Sequence, residues 1–313
     1  MFISICIPAY QSGEKLERLL DSIRMQTFTD YEIVVSDDSK DEGVRIICEQ
    51  KYSTLNIKYF HNNPPLGTPS NWNNAVEKTS GEWIKIMHHD DWFRDKDSLQ
   101  KFVDVVRANK NVSFVFSAFR NIYLDEGRER EFFCSPYEIF LLKQGYLNLY
   151  KTFMGNPSCT LISKHCKPYS YDKTFKWLID FDFYTTLFKT GISFAYLNDA
   201  VIDVGMHSGQ VTAFVFQNAS VEVPESIALL DKHGAGILRN VYVYDFFWRM
   251  YRNINVISIT EFEKYLDKPC EILAVRRMLK FQSAVGIKML RIGVFSKLFM
   301  LISFFINQVS KQK

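Results

Sequence analysis

Glu82-Trp83-Ile84-Lys85-Ile86-Met87-His88-His89-Asp90-Asp91-Trp92 reads as a buried strand that runs straight into acid. Trp83, Ile84, Ile86 and Met87 carry the apolar weight of a strand, and Gly81 punctuates its start. Two imidazoles and two carboxylates follow at once. Open α/β sheets bind ligands at the carboxyl ends of central strands, which is where this cluster would fall. Hard cations such as Mg²⁺ and Mn²⁺ take carboxylate oxygens and share them with substrate phosphates. A solvated acidic turn after an edge strand has the same composition, so the flanking sequence has to decide.

Working outward, apolar runs alternate with helical spacings. Strands are predicted at 3–8, 31–35, 57–60 and 112–119, and helices at 44–52, 70–78 and 97–108. A further helix places Leu16, Leu19, Leu20 and Ile23 on one face, with Ser12 as its cap. This alternation predicts a parallel sheet with helices on both faces. Beyond it, helices are predicted at 137–154 and 175–189, with strands at 159–163, 192–197 and 200–206. Three more helices, at 222–233, 237–251 and 260–281, make the C-terminal part helical.

The composition is that of a folded, globular chain, 47% hydrophobic and 23% charged. Six cysteines without a C-x-x-C pair read as reduced core thiols. The first residues are expected to enter a strand directly, with no signal peptide ahead. No run reaches the roughly 18 apolar residues expected of a spanning helix. Net charge is +3, unevenly spread: after Glu271 there are eight basic residues and no acidic one. Those eight are Arg276, Arg277, Lys280, Lys288, Arg291, Lys297, Lys311 and Lys313, so the remainder carries 30 basic against 35 acidic residues. A basic, greasy end on an acidic body suits an anionic membrane surface and argues against nucleic acid as a partner.

Three segments carry a resemblance. Ile5-Cys6-Ile7-Pro8-Ala9-Tyr10, Ser22-Ile23-Arg24-Met25-Gln26-Thr27-Phe28 and Glu32-Ile33-Val34-Val35-Ser36-Asp37-Asp38-Ser39 resemble the opening of family 2 glycosyltransferases. The likeness continues through Gly67, Asn71, the 81–91 stretch, Trp177–Tyr184 and His207–Thr212, and covers about the first 215 residues. It implies a GT-A fold: a Rossmann-like, mainly parallel sheet flanked by helices. It also implies an inverting enzyme that uses a nucleotide-activated sugar. The domain expectation is a glycosyltransferase domain over 1–215, with a nucleotide-binding half (1–110) and an acceptor-binding half (111–215). A helical, basic region follows over 216–313.

Site residues follow from chemistry and resemblance together. A nucleotide base needs an acceptor for an imide N–H, met by Asp37 or Asp38, and a platform for its ring, met by the turn at Pro8 and Tyr10. Both aspartates also suit an Asx turn. Asn71 is a donor contact or a cap for the helix beginning near Ser70. The resemblance makes Asp90 the carboxylate that holds the divalent cation, Mn²⁺ or Mg²⁺, and His207 a late-loop histidine that closes on metal or diphosphate. His88 stands where the family has its first aspartate, so a hard oxygen ligand is lost. His88, with His89 and Asp91, is assigned to substrate contact. Asp180 falls at the family's Glu-Asp motif, with Ile179 in place of the Glu. Among Trp177, Phe181 and Phe183 it is expected to be desolvated, which suits a general base. Asp182 is the runner-up, facing away from Asp180 on the same helix.

The Gln-x-x-Arg-Trp pattern of processive relatives is absent, which points to one sugar per visit. The expected partners are a UDP-sugar donor and a glycan or lipid-linked acceptor of surface polysaccharide synthesis. The expected location is the cytoplasm, peripheral on the inner face of the cell membrane through the C-terminus. A sugar nucleotidyltransferase would want a Gly-rich, Arg- and Lys-bearing loop after the first strand, and Pro8–Gly13 is not one. A non-catalytic nucleotide-sugar-binding protein is the other alternative, raised by His88 and Ile179.

Overall fold

β1 (Ile3–Ala9) is buried at every position, because neighbouring strands flank it on both sides and helices cover it. In a computed structural model, which describes residues 1–11, 13–210 and 214–309, it pairs in parallel with β2 (Tyr31–Asp37) and β4 (Trp83–Ile86). β2 pairs in parallel with β3 (Ile57–His61). The helix α1 (Gly13–Arg24) buries Leu16, Leu19, Leu20 and Ile23, which join Ile3, Ile5 and Ile7 in one core. Ser12, expected to cap it, lies outside the described residues. The other helices of this half are α2 (Gly43–Ile46), α3 (Ser70–Glu77) and α4 (Ser98–Ala108).

The sheet order is β3-β2-β1-β4-β8-β6-β9-β5, with β7 on β6. From β1 the chain moves outward through β2 and β3, then returns to place β4 on the other side of β1. That reversal creates a switch point between β1 and β4, at whose carboxyl edge doubly wound sheets bind ligands.

Beyond β4 the sheet is mixed rather than parallel. β8 (Thr160–Ser163) runs antiparallel to β4 and to β6 (Phe114–Tyr123), while β6 and β9 (Phe194–Met206) are parallel. β5 (Trp92–Phe93) is antiparallel to β9. β7 (Arg128–Phe132) makes a hairpin with β6 that the sequence did not announce. Its exposed Arg-Glu-Arg-Glu run lacks apolar alternation. The strands predicted at 192–197 and 200–206 are one strand, because a bulge absorbs Asn198-Asp199 where a turn was expected.

α5 (Pro136–Gln144) ends at Gly145, and a 3₁₀ turn replaces the rest of the helix predicted to residue 154. α6 (Ile179–Lys189) starts four residues later than expected. The C-terminal helices are α7 (Ala219–His233), α8 (Val241–Asn253), α9 (Ile259–Phe262), α10 (Leu273–Val285), α11 (Ile287–Leu290) and α12 (Gly293–Val309). α9 and α10 replace one helix predicted at 260–281. Pro269 lies in the break, and proline supplies no backbone N–H for a helix interior.

The chain divides into two compact units. The first is 1–140, 153–173 and 183–210, and holds the whole sheet; the second is 141–152, 174–182 and 211–313. All six cysteines are free and buried, as core thiols should be.

Candidate functional site

In the first unit, the carboxyl ends of β1, β2 and β4 set the site. Ala9 is level with Asp37, and Met87 donates its N–H to the Cys6 carbonyl, so the turns after all three strands open along one edge. The 88–91 turn is pinned from below. The His88 N–H donates to Ser158 Oγ at 2.9 Å, and the Asp91 N–H donates to the His88 carbonyl at 3.0 Å. The buried Lys85 of β4 donates to the Ser158 carbonyl, fixing the same short turn. Burial pushes the Lys85 ammonium down to about 7.

The Asp90 side chain is largely buried. Its Oδ2 accepts from Gln210 Nε2 at 2.9 Å and lies 3.2 Å from His207 Nε2. Asp91 is fully enclosed: Oδ1 accepts from the Gly205 N–H at 3.1 Å and Oδ2 from Asn156 Nδ2 at 2.8 Å. One ligand atom each from His88, Asp90 and Asp91 lie within 4.8 Å of one another. Gly205 permits this packing, since a Cβ there would collide with the Asp90 carbonyl oxygen.

Electrostatics separate the two carboxylates. Burial would raise the Asp90 carboxyl, but His89, His88 and the Gln210 amide outweigh it and hold it below the usual range. Burial and then the Asp90 charge push Asp91 up to about 8. Burial drives His88 down to about 4, leaving a neutral imidazole, and its Nε2 is buried with no hydrogen-bond partner among the described residues. Two carboxyl groups and a neutral imidazole with a spare nitrogen fit a divalent cation. The imidazole makes the set softer than an all-oxygen one.

Cations line the same edge. Lys15 Nζ stands 3.0 Å from His207 Nε2. The Arg18 guanidinium lies 3.7 Å over the Trp92 ring, with Nε and Nη2 unpartnered among the described residues. One turn apart on α1, they read in sequence only as helix surface, with nothing to single them out. Gln210 belongs to the 207–212 motif, whose Val211 and Thr212 lie outside the described residues.

The candidate base readers are used internally. Asp37 accepts from the Ser39 N–H at 2.8 Å, an Asx turn, and from Tyr59 Oη at 2.7 Å. Asp38 accepts from Asn62 Nδ2 at 2.9 Å and from the Leu66 and Gly67 N–H groups at 3.0 and 2.7 Å. A carboxylate offers about four lone-pair sites, so Asp37 keeps the greater remaining capacity. Asn71 donates to the Ala9 carbonyl at 3.2 Å and accepts from Asn62 at 3.1 Å, bracing the end of β1. Tyr10 is half exposed beside Pro8, and His89 Nδ1 lies 3.4 Å from the Pro8 carbonyl.

The second unit holds the two carboxylates of the 177–184 motif, in the first turn of α6. They have different surroundings. Asp182 is buried and paired with Lys232 Nζ and His233 Nε2, each at 2.8 Å. Asp180 has a buried Oδ1 without a partner among the described residues, and burial alone pushes its carboxyl up to about 7. Glu225, which the sequence did not mark, accepts from three successive N–H groups, those of Lys176, Trp177 and Leu178, at 2.6, 3.0 and 2.9 Å. It fixes the segment that leads into Asp180. Glu225→Ala is expected to lower unfolding free energy by about 3 kcal/mol, since each buried donor left unmade costs roughly 1–3 kcal/mol. A urea midpoint equal to wild type would remove that role.

Comparison with known proteins gives three kinds of match. The model described as Glycosyl transferase family 2 matches residues 4–174, more than half of the chain. An uncharacterized glycosyltransferase of Haemophilus influenzae is 26% identical over 40% of this chain and 41% of its own length. A GalNAc(5)-diNAcBac-PP-undecaprenol beta-1,3-glucosyltransferase of Campylobacter jejuni is 35% identical over 28% of this chain and 29% of its own. The matched stretches thus span less than half of either relative. Among solved structures, TarS 1–349 of S. aureus in complex with UDP-GlcNAc superposes with a TM-score of 0.65 at 16% identity, covering 92% of this chain and 89% of that one. A mannosyltransferase of Pyrobaculum calidifontis in complex with GDP-Man and Mn²⁺ gives 0.56 at 14% identity, covering 99% and 88%. At those identities the likeness is one of fold, the GT-A fold.

Proposed function

As this chain belongs to glycosyl transferase family 2, we propose that it is an inverting, divalent-cation-dependent, non-processive sugar transferase. It moves one sugar from a nucleotide-sugar donor, a UDP-sugar, to a glycan or lipid-linked acceptor at the cytoplasmic membrane face, in surface polysaccharide synthesis. The observation that carries this reading is the cluster of Asp90, His207, Gln210, His88 and Asp91 at the switch point of the sheet. TarS with UDP-GlcNAc and the mannosyltransferase with GDP-Man and Mn²⁺ support a nucleotide sugar and a cation. The undecaprenol-linked glucosyltransferase relative supports a lipid-linked acceptor.

Roles are assigned residue by residue. Asp90, with His88 and Asp91, would hold the cation, which when bound offsets the charge that develops on the leaving diphosphate. His207 closes against Asp90 from the 207–210 turn, and Lys15 and Arg18 add positive charge on the diphosphate side. Tyr10 and Pro8 flank the base, and Asp37 or Asp38 accepts its imide N–H. Asn71 and His89 support the donor through the end of β1. Asp180 takes the proton from the acceptor hydroxyl as that oxygen attacks the anomeric carbon and the bond to diphosphate breaks. Attack opposite the leaving group inverts the configuration. Asp182, committed to Lys232 and His233, orients the helix rather than the proton.

Ligand-induced thermal shift tests donor and cation together, because a ligand of the native state raises the melting temperature. A UDP-sugar is expected to stabilise the protein more with Mn²⁺ than with EDTA. Equal shifts under both conditions would remove the cation from the reading.

A further inference from the structure

The last helix of the second unit is apolar on its exposed side as well as holding polar groups on its buried one. α12 (Gly293–Val309) buries Met300 and Phe304 together with Ser296, Ser303 and Asn307, and each of the three polar residues is hydrogen-bonded. Ser296 Oγ accepts from Trp248 Nε1 at 3.1 Å and Arg252 Nη1 at 3.0 Å. Ser303 Oγ and Asn307 Nδ2 both meet Tyr244 Oη at 2.7 Å. The opposite face is apolar and bare: Val294, Leu298, Ile302, Phe305 and Val309 are 80%, 51%, 40%, 62% and 69% exposed. At about 100° per residue these five fall within one narrow stripe. A surface helix of a soluble domain carries polar residues on its exposed face instead. A bare stripe of this kind marks an interaction site.

Charge selects the partner. The sequence from 272 onward is basic without a single acid. Lys288 and Arg291, immediately ahead of the helix, are exposed. Lys297 lies off the stripe and is spent on Asp245 at 3.2 Å. A second copy docked through this face would bring like charges together across a two-fold axis. An anionic lipid surface complements them instead. No helix among the described residues is long and apolar enough to cross a membrane. One apolar side and one anchored side suit a helix lying in the interface plane.

We propose that the Val294–Val309 face of α12 is a docking surface for an anionic bilayer, with its apolar stripe in the headgroup–acyl boundary and Lys288 and Arg291 among the headgroups. The inference deepens the proposed function by naming the surface that would bring the enzyme to a lipid-linked acceptor. Its evidence is independent of the donor site.

Vesicle flotation of the full chain tests it, with phosphatidylcholine vesicles made with and without phosphatidylglycerol. The wild type is expected to float with the anionic vesicles and to be released by salt. Leu298→Glu with Phe305→Glu is expected to stay at the bottom of the gradient. Lys288→Glu with Arg291→Glu is expected to weaken binding at least about 20-fold, since each basic residue near an anionic surface contributes a factor of about five. All four side chains are exposed, and retained thermal stabilisation by the donor certifies the fold of each variant. Wild-type protein that never floats overturns the proposal. So does equal flotation on neutral vesicles, or a wild-type dimer by light scattering that Leu298→Glu splits, which would assign the face to a second copy. A chain that floats but is stabilised by no nucleotide sugar keeps the docking surface and overturns the sugar-transfer reading.

Discussion

Asp180→Asn is expected to lower kcat by about 10²–10⁴-fold, the usual cost of losing a general base, while the KM for the donor stays close to wild type. The reason is division of labour: in the proposed role Asp180 acts on the acceptor hydroxyl, whereas loss of a donor contact would appear in donor KM instead. The environment supports the role. Burial raises the Asp180 carboxyl to about 7, and one oxygen has no internal partner among the described residues. A base works when deprotonated, so kcat should rise with pH through about 7 in the wild type and lose that limb in the variant. Asp182→Asn is the internal control. It breaks a buried pair with Lys232 and His233, so it should cost stability, with a smaller loss in kcat. A dead Asp182→Asn beside an active Asp180→Asn would move the base by two residues. Full activity in both would place it elsewhere.

Asp90→Asn should remove most turnover, by about 10²–10³-fold, the scale of losing one electrostatic stabiliser of a transition state. The readout that isolates the cause is Mn²⁺ binding followed by electron paramagnetic resonance, which needs no turnover. The variant should bind Mn²⁺ far more weakly. The amide is nearly isosteric and still faces Gln210 and His207, so the melting temperature should change little. Unchanged Mn²⁺ affinity would end the assignment of Asp90 as the principal ligand. Full activity of the wild type in EDTA would end cation dependence itself.

Much of this was legible in the sequence, for physical reasons that can be named. The 82–92 stretch announces a buried strand ending in ligand-type residues, and β4 ends at Ile86 with His88, Asp90 and Asp91 gathered beyond it. Parallel pairing of β1 to β4 follows from strand–helix alternation. The antiparallel pairings of β8 and β5 do not, because they depend on partners far apart in the chain. β7 is exposed and charged, so it lacks the alternation by which strands are read. Asp37 and Asp38 look alike in sequence, and only the 59–67 segment, folded over them, shows how differently they are occupied. Asp180 and Asp182 are a similar case: residue type and spacing cannot tell a paired carboxylate from a lone one. The second unit takes segments 141–152 and 174–182 from the middle of the chain, which no composition shift marks. In α12 the apolar count was visible from the start, but the buried face combines Met300 and Phe304 with serine and asparagine hydrogen bonds to Tyr244, Trp248 and Arg252, which spacing alone does not reveal.

In the proposed reaction a sugar leaves a nucleoside diphosphate for an acceptor. Its most direct test follows the wild-type protein with UDP-sugars, Mn²⁺ and a polyprenyl-diphosphate-linked glycan, measuring released nucleotide and the anomeric configuration of the product. One UDP is expected per sugar transferred, with a β-linkage from an α-linked donor. Release of pyrophosphate would indicate a nucleotidyltransferase, and donor binding without release of either would indicate a non-catalytic binder; each result would contradict sugar transfer by this chain.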